Sequence, residues 1–289
     1  MVRPAERRQA VTHLMGSMEM SERRACNAMV LHRSTGQYQP RPDRNGPLRE
    51  KLLALATERP KWGHPLLYDK LRQEGWIVNH KRTERLYQEM KLSLRLKRRK
   101  KRLSHLRLAL PPATRPDERW AMDFVFDRLE NGGRLKCLTI LDQFTRESPA
   151  IEAGLSIGGH QVVRVLEGLR GAGRLPEMIV CDNGPEFTSR ALDRWAYANG
   201  VKIHHIQPGK PTQNGHNESF NGKFRNECLD ANIFWNVPDA KLKTGVWRKD
   251  YNTQRPHSSL GGQTPEAFAK QWRECYQPNN RFSEVMTGP

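Results

Sequence analysis

Apolar positions in the first ninety residues recur at about every third or fourth residue, the spacing of one helix face. This pattern predicts five short helices, over residues 4–15, 21–31, 48–58, 64–73 and 80–92. Ser21 stands where the second helix would begin and is a suitable N-cap. Pro60 and Gly75 separate the last three helices. The amino-terminal part of the chain is therefore predicted to be all-α.

After residue 117 the pattern changes to the alternation of apolar and polar positions that is typical of strands. Trp120, Met122, Phe124 and Phe126 alternate in the first of these segments. The predicted strands cover residues 119–127, 135–141, 148–152, 178–181 and 201–206. The predicted helices cover residues 160–170, 188–198, 212–229 and 239–251. This order predicts an α/β fold in which helices flank a mixed sheet.

The predicted helix over 80–92 carries a cluster of cations, Lys81, Arg82 and Arg85. Three short helices that end in a basic one are typical of a helix-turn-helix unit, whose last helix enters the DNA major groove. A small packing bundle with a solvated basic face would show the same pattern. We favour DNA binding because the segment runs directly into a block of positive charge.

Charge is distributed unequally along the chain. Residues 1–116 hold 27 Lys and Arg against 10 Asp and Glu, whereas residues 117–289 hold 22 against 21. The densest block is formed by Arg95, Lys97, Arg98, Arg99, Lys100, Lys101 and Arg102. Nucleic-acid phosphates would neutralise such a block and release counterions, although a solvated linker would have the same composition. The localised positive charge indicates a polyanion as partner.

These patterns divide the chain into five predicted parts. They are an N-terminal helical segment (1–46), a helix-turn-helix-like DNA-binding domain (47–94), a basic linker (95–116), an α/β core (117–273) and a C-terminal tail (274–289).

The five cysteines occur singly, so the sequence predicts neither a structural zinc site nor a disulfide framework. The start of the chain lacks an apolar signal segment, and no apolar run is long enough to span a membrane. These observations predict a cytoplasmic protein.

Three acidic residues, Asp123, Asp182 and Glu218, are the candidate catalytic residues. Asp123 lies within the first predicted strand, where an unpaired carboxylate among apolar neighbours is costly to bury. Asp182 ends a strand, and Glu218 lies in a predicted helix. Converging carboxylates without Cys or His partners suit hard cations such as Mg²⁺ or Mn²⁺, and a pair of such ions assists phosphodiester displacement. The sequence therefore predicts chemistry on a nucleic-acid backbone.

Helical spacing places Asn214, Asn221 and Arg225 on the same face as Glu218. This face is polar and suits a phosphate, whereas Phe220 and Phe224 would anchor the helix on the core. Lys210 stands in the preceding Pro- and Gly-rich loop, either near DNA or as an ordinary surface lysine.

Other polar residues near these acids are expected to be structural. We expect Asp142 to organise the turn after the second strand, and Glu186 to be structural or close to the substrate. His204, His205 and His216 could ligate a metal, but strand-end or groove positions fit them better. The aromatic residues of the stretch from Trp247 to His257 could stack on unpaired bases, with Arg255 on a phosphate, or pack the preceding helix onto the core.

Residues 117–273 resemble the catalytic core of bacterial insertion-sequence transposases, which share the retroviral-integrase, ribonuclease-H-like fold. The matching segments are Trp120-x-x-Asp-Phe124, Asp182–Phe187, Pro208–Pro211, Gln213–Gly215, Glu218–Asn221, Arg225–Leu229 and Tyr251–Leu260. Residues 48–102 are similar to the helix-turn-helix segment that precedes this core in the same family. The His/His/Cys/Cys zinc module of retroviral integrases has no counterpart in this sequence.

The resemblance implies that Asp123, Asp182 and Glu218 form the family's DDE triad and hold two Mg²⁺ or Mn²⁺ ions. It implies that Arg225 is the family's basic residue seven positions after the Glu. The implied activity is metal-dependent cleavage at the ends of an insertion sequence and transfer of a 3′-hydroxyl to another phosphodiester of double-stranded DNA. A nuclease of the same fold and a non-catalytic repressor are the rival functions.

The resemblance also implies a homo-oligomer on DNA. In this family an upstream reading frame (OrfA) often supplies a further DNA-binding unit and a coiled coil, by fusion or as a partner. No heptad run is evident in this sequence, which is therefore expected to be of the downstream-frame (OrfB) type.

Overall fold

The computed structural model describes residues 4–38, 43–94, 111–206 and 215–276. The chain forms two compact units, Met1–Lys51 and Leu52–Pro289. The first unit contains α1 (Pro4–Ser17), α2 (Glu22–Ala28) and α3 (Arg33–Gly36), which pack around a small core of Val11, Ala25, Cys26 and Leu31. Ser21 is the N-cap of α2, as predicted, although its side chain makes no capping hydrogen bond.

Helix α4 (Gly46–Glu58) spans the boundary between the units, and α5 (His64–Gln73) and α6 (His80–Glu89) follow in the second unit. Leu67, Leu71 and Leu86 are fully buried where α5 and α6 pack together. Asn79 caps α6, since its side-chain oxygen accepts a hydrogen bond from the Lys81 amide at 2.8 Å. The structure thus has the predicted helices, with α6 ending at Glu89 rather than at residue 92.

Helix α5 and the segment before it are attached to the carboxyl-terminal part of the α/β core. Arg59 forms an ion pair with Asp250 at 2.6 Å. Lys70 donates to the Gln254 side chain, and Gln73 donates to the Gly262 carbonyl, each at 2.8 Å.

The core contains a five-stranded sheet in the order β3-β2-β1-β4-β5. Its strands are β1 (Arg119–Arg128), β2 (Arg134–Asp142), β3 (Ile151–Gly154), β4 (Met178–Cys181) and β5 (Lys202–His205). The first three strands pair antiparallel, whereas β4 pairs parallel with both β1 and β5. Strand β1 is therefore central.

Helices cover both faces of the sheet. Trp120 and Met122 of β1 pack with α7 (Gly159–Gly171) and α8 (Arg190–Asn199) on one face. Val125 packs on the other face with α9 (Gly215–Phe224) and α10 (Val237–Thr253). The predicted fold class, a ribonuclease-H-like mixed sheet with flanking helices preceded by an all-α region, is confirmed. None of the helices in the described ranges is long and apolar enough to cross a membrane.

Several elements differ from the sequence prediction, among them the short helix α3, which was not predicted. Strand β3 begins at Ile151 instead of residue 148, because Pro149 has no amide hydrogen for a ladder and the Ser148 amide donates to the Asn252 side chain at 2.9 Å. The long helix predicted over 212–229 is α9 followed by a π-helical turn, Arg225–Leu229. Helix α11 (Pro265–Tyr276) was not predicted.

Candidate active site

Asp123 lies on β1, on the face of the sheet that α9 covers. Its Oδ1 accepts a hydrogen bond from the Phe124 amide, and its Oδ2 accepts one from Asn221 Nδ2, both at 2.8 Å. Burial, together with the smaller effects of the Asp182 and Glu218 charges, raises the pKa of Asp123 to about 6, against the opposing hydrogen bonds from the Phe124 amide and Asn221. Asp123 is therefore a partly buried carboxyl group whose charged form is destabilised in the fold.

Asp182 follows β4 at the carboxyl end of that strand. Ala121 of β1 pairs with Val180 of β4, and the same register continued by two residues brings Asp182 alongside Asp123. Asp182 is exposed, and its Oδ1 accepts from the Gly184 amide at 2.9 Å, which fixes the turn after the strand. This carboxylate is accessible from solvent.

Glu218 lies in the first turn of α9 and is exposed. Phe220 and Phe224 of the same helix are fully buried against α10, so they anchor α9 on the core as predicted. The carboxylate of Glu218 is close enough to raise the pKa of Asp123.

The donor set suits a hard cation, since it consists of carboxylate oxygens that repel one another. Asp123 and Asp182 are adjacent, and Glu218 stands at the edge of the same site. Within the described ranges, no three His, Cys, Asp or Glu side chains are close enough together to hold a metal ion. The three carboxylates are thus near enough to influence one another's charge, but they are not gathered at ligating distance.

Asn221 was predicted to face nucleic acid, and the structure places it against Asp123 instead. Its Nδ2 donates to Asp123, while its Oδ1 accepts from Thr139 Oγ1 at 2.9 Å. Thr139 is fully buried on β2, directly opposite Asp123 in the ladder. Asn221 therefore links α9 to the two central strands and orients the Asp123 carboxylate.

The exposed cations of α6 lie where the sequence predicts them. Lys81, Arg82 and Arg85 are exposed, while Thr83, Leu86 and Tyr87 are buried on the opposite face. Arg85 forms an i,i+4 pair with Glu89 at 3.5 Å. The helix therefore presents a basic face to solvent.

Arg225 and Arg255 differ in their surroundings. Arg225 is exposed, and one of its guanidinium nitrogens donates to the Phe126 carbonyl at 3.0 Å. Arg255 is buried and forms a bidentate pair with Glu227, with contacts of 2.6 and 2.9 Å. Glu227 takes up the guanidinium of Arg255 in this structure, and the phosphate contact of Arg255 stays a prediction.

The remaining cations and amides that were predicted to contact nucleic acid fall outside the described residues. They are Arg95, Lys97, Arg98, Arg99, Lys100, Lys101, Arg102, Lys210 and Asn214.

The aromatic side chains near the end of the core pack in its interior rather than standing free for bases. Tyr251 is 1% exposed, and its ring meets Phe220 at 4.9 Å and Trp247 at 5.2 Å between centroids. Of the two alternatives left open by the sequence, the packing role is the one observed.

Asp142 and Glu186 have the structural roles expected of them. Asp142 Oδ1 accepts from the amides of Phe144 and Thr145, at 2.8 and 3.1 Å, so it organises the turn after β2. Glu186 is paired with Lys136. Of the three histidines, His205 contacts the backbone oxygen of Asp182 through Nδ1 at 3.1 Å.

A group of basic residues next to α9 was not predicted from the sequence. Arg146, Lys223 and His257 line one cleft, together with residues of α5. They come from the turn after β2, from α9 and from the loop after α10, so no local motif joins them. Lys223 and His257 lie within or beside segments that carry the family resemblance, whereas Arg146 lies in none of them.

Three family profiles match the chain. Residues 113–211 and residues 199–265 each match a profile described as an integrase core domain. Residues 44–102 match a profile described as an HTH-like domain.

Three curated relatives are similar over most of the chain. The insertion element IS407 31.7 kDa protein of Burkholderia multivorans is 44% identical over 93% of this chain and 98% of its own length. The insertion element IS476 39.2 kDa protein of Xanthomonas euvesicatoria is 42% identical over 96% of this chain and 80% of its own length. The putative transposase InsK of IS150 from Escherichia coli is 24% identical over 84% of this chain and 92% of its own length.

Proposed function

This chain belongs to the bacterial insertion-sequence transposases with an integrase core, and we propose that it cleaves DNA at the ends of its element and joins the 3′-hydroxyl to a second phosphodiester. The proposal assigns residues 47–94 to DNA binding and residues 117–273 to catalysis. The observation that carries it is the placement of Asp182 alongside Asp123, with Glu218 at the edge of the same site.

Asp123, Asp182 and Glu218 would together hold two Mg²⁺ or Mn²⁺ ions, which when bound make a hydroxyl a better nucleophile and stabilise the charge on the leaving oxygen. The fit is chemical, since the candidate ligands are carboxylate oxygens and since burial, followed by repulsion from Asp182 and Glu218, destabilises the charged form of Asp123. The proposal includes closure of the first turn of α9, which would bring Glu218 onto the other two carboxylates.

The protein's own side chains would position the reacting groups. Asn221 holds the Asp123 carboxylate in one orientation through its 2.8 Å hydrogen bond, and Thr139 holds Asn221. The exposed Arg225 would take a phosphate on the outer side of α9. Such contacts position the strand and give affinity more than sequence selectivity.

DNA would be the partner of the amino-terminal half as well. We propose that Lys81, Arg82 and Arg85 of α6 face a DNA groove and that the block from Arg95 to Arg102 contacts the backbone. Two element ends and a target must meet, so we also propose a homo-oligomer on DNA, with an upstream-frame product as fusion or partner. Sedimentation of the protein with and without paired element ends tests the oligomer.

A strand-transfer assay tests the activity. Purified chain, alone and as an upstream-frame fusion, is given Mg²⁺, a pre-cleaved element end with a free 3′-hydroxyl and a target plasmid. Asp123→Asn is expected to abolish joined products, by at least about 10³-fold, while leaving DNA binding within about twofold, since it removes a metal ligand and keeps the side-chain shape.

Lys270→Gln is the matched control, since Lys270 is an exposed helix residue with a 74% exposed side chain. Hydrolysis without joining would identify a nuclease, and DNA binding without metal-dependent cleavage would identify a repressor. Full strand transfer by Asp123→Asn would overturn the assignment.

A further inference from the structure

A cleft beside α9, here called the phosphate cleft, gathers cationic side chains from distant parts of the chain. Its walls include Arg146 from the turn after β2, Lys223 and Ser219 from α9, His257 from the loop after α10, and Asp69 from α5. None of these residues belongs to the candidate metal site or to the predicted DNA contacts.

Arg146 and Lys223 form no ion pair within the described ranges, whereas Arg255, which also lines the cleft, is paired with Glu227. The Nη1 atom of Arg146 is buried without a hydrogen-bond partner, and so is Nε2 of His257, a residue that is only 5% exposed. No carboxylate in the described ranges lies within ion-pair distance of Arg146 or Lys223. Buried polar atoms without partners are rare, so these atoms point to a ligand that the fold itself does not supply.

The electrostatics of the phosphate cleft agree with this geometry. Burial, followed by the charge of Arg255, lowers the pKa of Lys223 to about 8. Burial, followed by the charges of Arg255, Lys223 and Arg146, lowers the pKa of His257 to about 3. Both directions mean that positive charge is destabilised there until an anion arrives.

The first turn of α9 adds to the positive potential. The helix begins at Gly215, and the N-terminus of a helix carries a partial positive charge. Ser219, one turn into the helix, is exposed and accepts a hydrogen bond from Lys223 Nζ at 3.2 Å. The one acid among the lining residues, Asp69, has its pKa raised by burial.

We propose that the phosphate cleft binds one phosphate group of a DNA strand, through Arg146, Lys223 and the neutral His257 ring as a hydrogen-bonding group. A phosphate suits the site because its oxygens accept several charge-assisted hydrogen bonds at once.

The position of the phosphate cleft indicates which strand it holds. An adjoining cleft is also lined by Ser219 and Lys223, and it contains Glu218 and Lys61. A strand with one phosphate on Lys223 therefore passes directly beside Glu218. This part of the inference rests on the proposed function, since it takes the held strand to be the one that reacts.

Methylphosphonate scanning tests the inference without catalysis. Element-end duplexes that carry one neutral methylphosphonate linkage at successive positions are titrated with the full chain in Ca²⁺. The wild type should lose about tenfold in affinity at one position near the reactive end, equivalent to one charge-assisted contact. Lys223→Gln and Arg146→Gln should bind unmodified DNA about tenfold more weakly and show no further loss at that position.

Lys270→Gln, which removes the same charge from an exposed helix, should retain the wild-type scan. Thermal unfolding checks that Lys223→Gln and Arg146→Gln stay folded, and the milder Lys223→Arg should restore the scan. If the losses from the linkage and the substitution simply add at every position, the inference is overturned.

A second measurement separates the possible sources of phosphate. Inorganic phosphate at constant ionic strength should raise the melting temperature of the wild type more than that of Lys223→Gln. If it does so while the scan shows no coupling, the cleft takes a free phosphate and the DNA assignment is wrong. If the wild type shows no strand transfer, the proposed function is wrong. The phosphate contact would still be supported if the methylphosphonate loss at one position disappears in Lys223→Gln and Arg146→Gln.

Discussion

At the scale of residues, Asp123 shows how far a sequence predicts a site. Its position in an apolar strand already indicated a costly carboxylate, and the structure gives it two hydrogen bonds and two repelling neighbours. The roles of Asn221 and Thr139 beside Asp123 could not be predicted from the sequence, because their contacts depend on how α9 packs against β1 and β2. The cations of the phosphate cleft were missed for the same reason, since three separate segments supply them.

Asp123→Asn is expected to stabilise the metal-free fold above pH 6. The pKa of Asp123 is raised in the fold to about 6 from a reference value near 4, so folding favours its protonated form. Wild-type stability attributable to this group is therefore lost as pH rises from about 4 to about 6, whereas Asn does not titrate. The difference in free energy of unfolding should grow to about 1–3 kcal/mol across that window.

Urea unfolding of both proteins at pH 4, 5, 6 and 7 measures the difference. Added Mg²⁺ should raise the melting temperature of the wild type and leave Asp123→Asn unchanged. A difference that stays constant between pH 4 and pH 7 contradicts the prediction.

At the scale of elements, periodicity predicted every strand and all but the shortest or most terminal helices. Where it failed, a specific contact decided the outcome. The Asn252 side chain binds the segment before β3, and the helix after Glu218 widens into a π-helical turn at Arg225–Leu229. Within that turn Glu227 meets the buried Arg255, a pairing across 28 residues that no local pattern encodes.

Helix α6 is amphipathic, with Leu86 buried and Lys81 and Arg85 exposed. A helix that enters a DNA groove needs such an exposed basic face. Lys81→Gln and Arg85→Gln should each weaken binding to the element end by about 1–3 kcal/mol if the side chain reads a base, with little effect on random DNA. If the side chain instead contacts a phosphate, its substitution should weaken binding to specific and random DNA alike. It should also reduce the slope of log binding constant against log salt concentration by about one.

Competition titrations with specific and random duplexes measure both effects. Lys202→Gln, an exposed cation on β5, is the matched control. Binding of the α6 variants that equals binding of this control would show that α6 is a solvated packing helix.

At the scale of the whole molecule, charge separates two tasks. Nearly all of the net charge of +18 lies in residues 1–116, while the remainder of the chain is almost neutral. The strongly positive first part suits non-specific attraction of a polyanion, which the nearly neutral second part would add little to. This division was predictable from composition alone, because it does not depend on which residues meet in space.

Helix α5 and the segment before it are attached to the core by three contacts, Arg59 with Asp250, Lys70 with Gln254, and Gln73 with Gly262. This attachment would fix the distance between DNA bound by α6 and the candidate active site. Because α6 packs on α5, the bases it reads would lie at a constant number of base pairs from the bond that is cut. Inserting five base pairs between them, about half a helical turn, should abolish cleavage, and ten should restore part of it. Sequencing the cut ends of such substrates measures this, and cleavage that tolerates five as well as ten would mean that the two parts move independently.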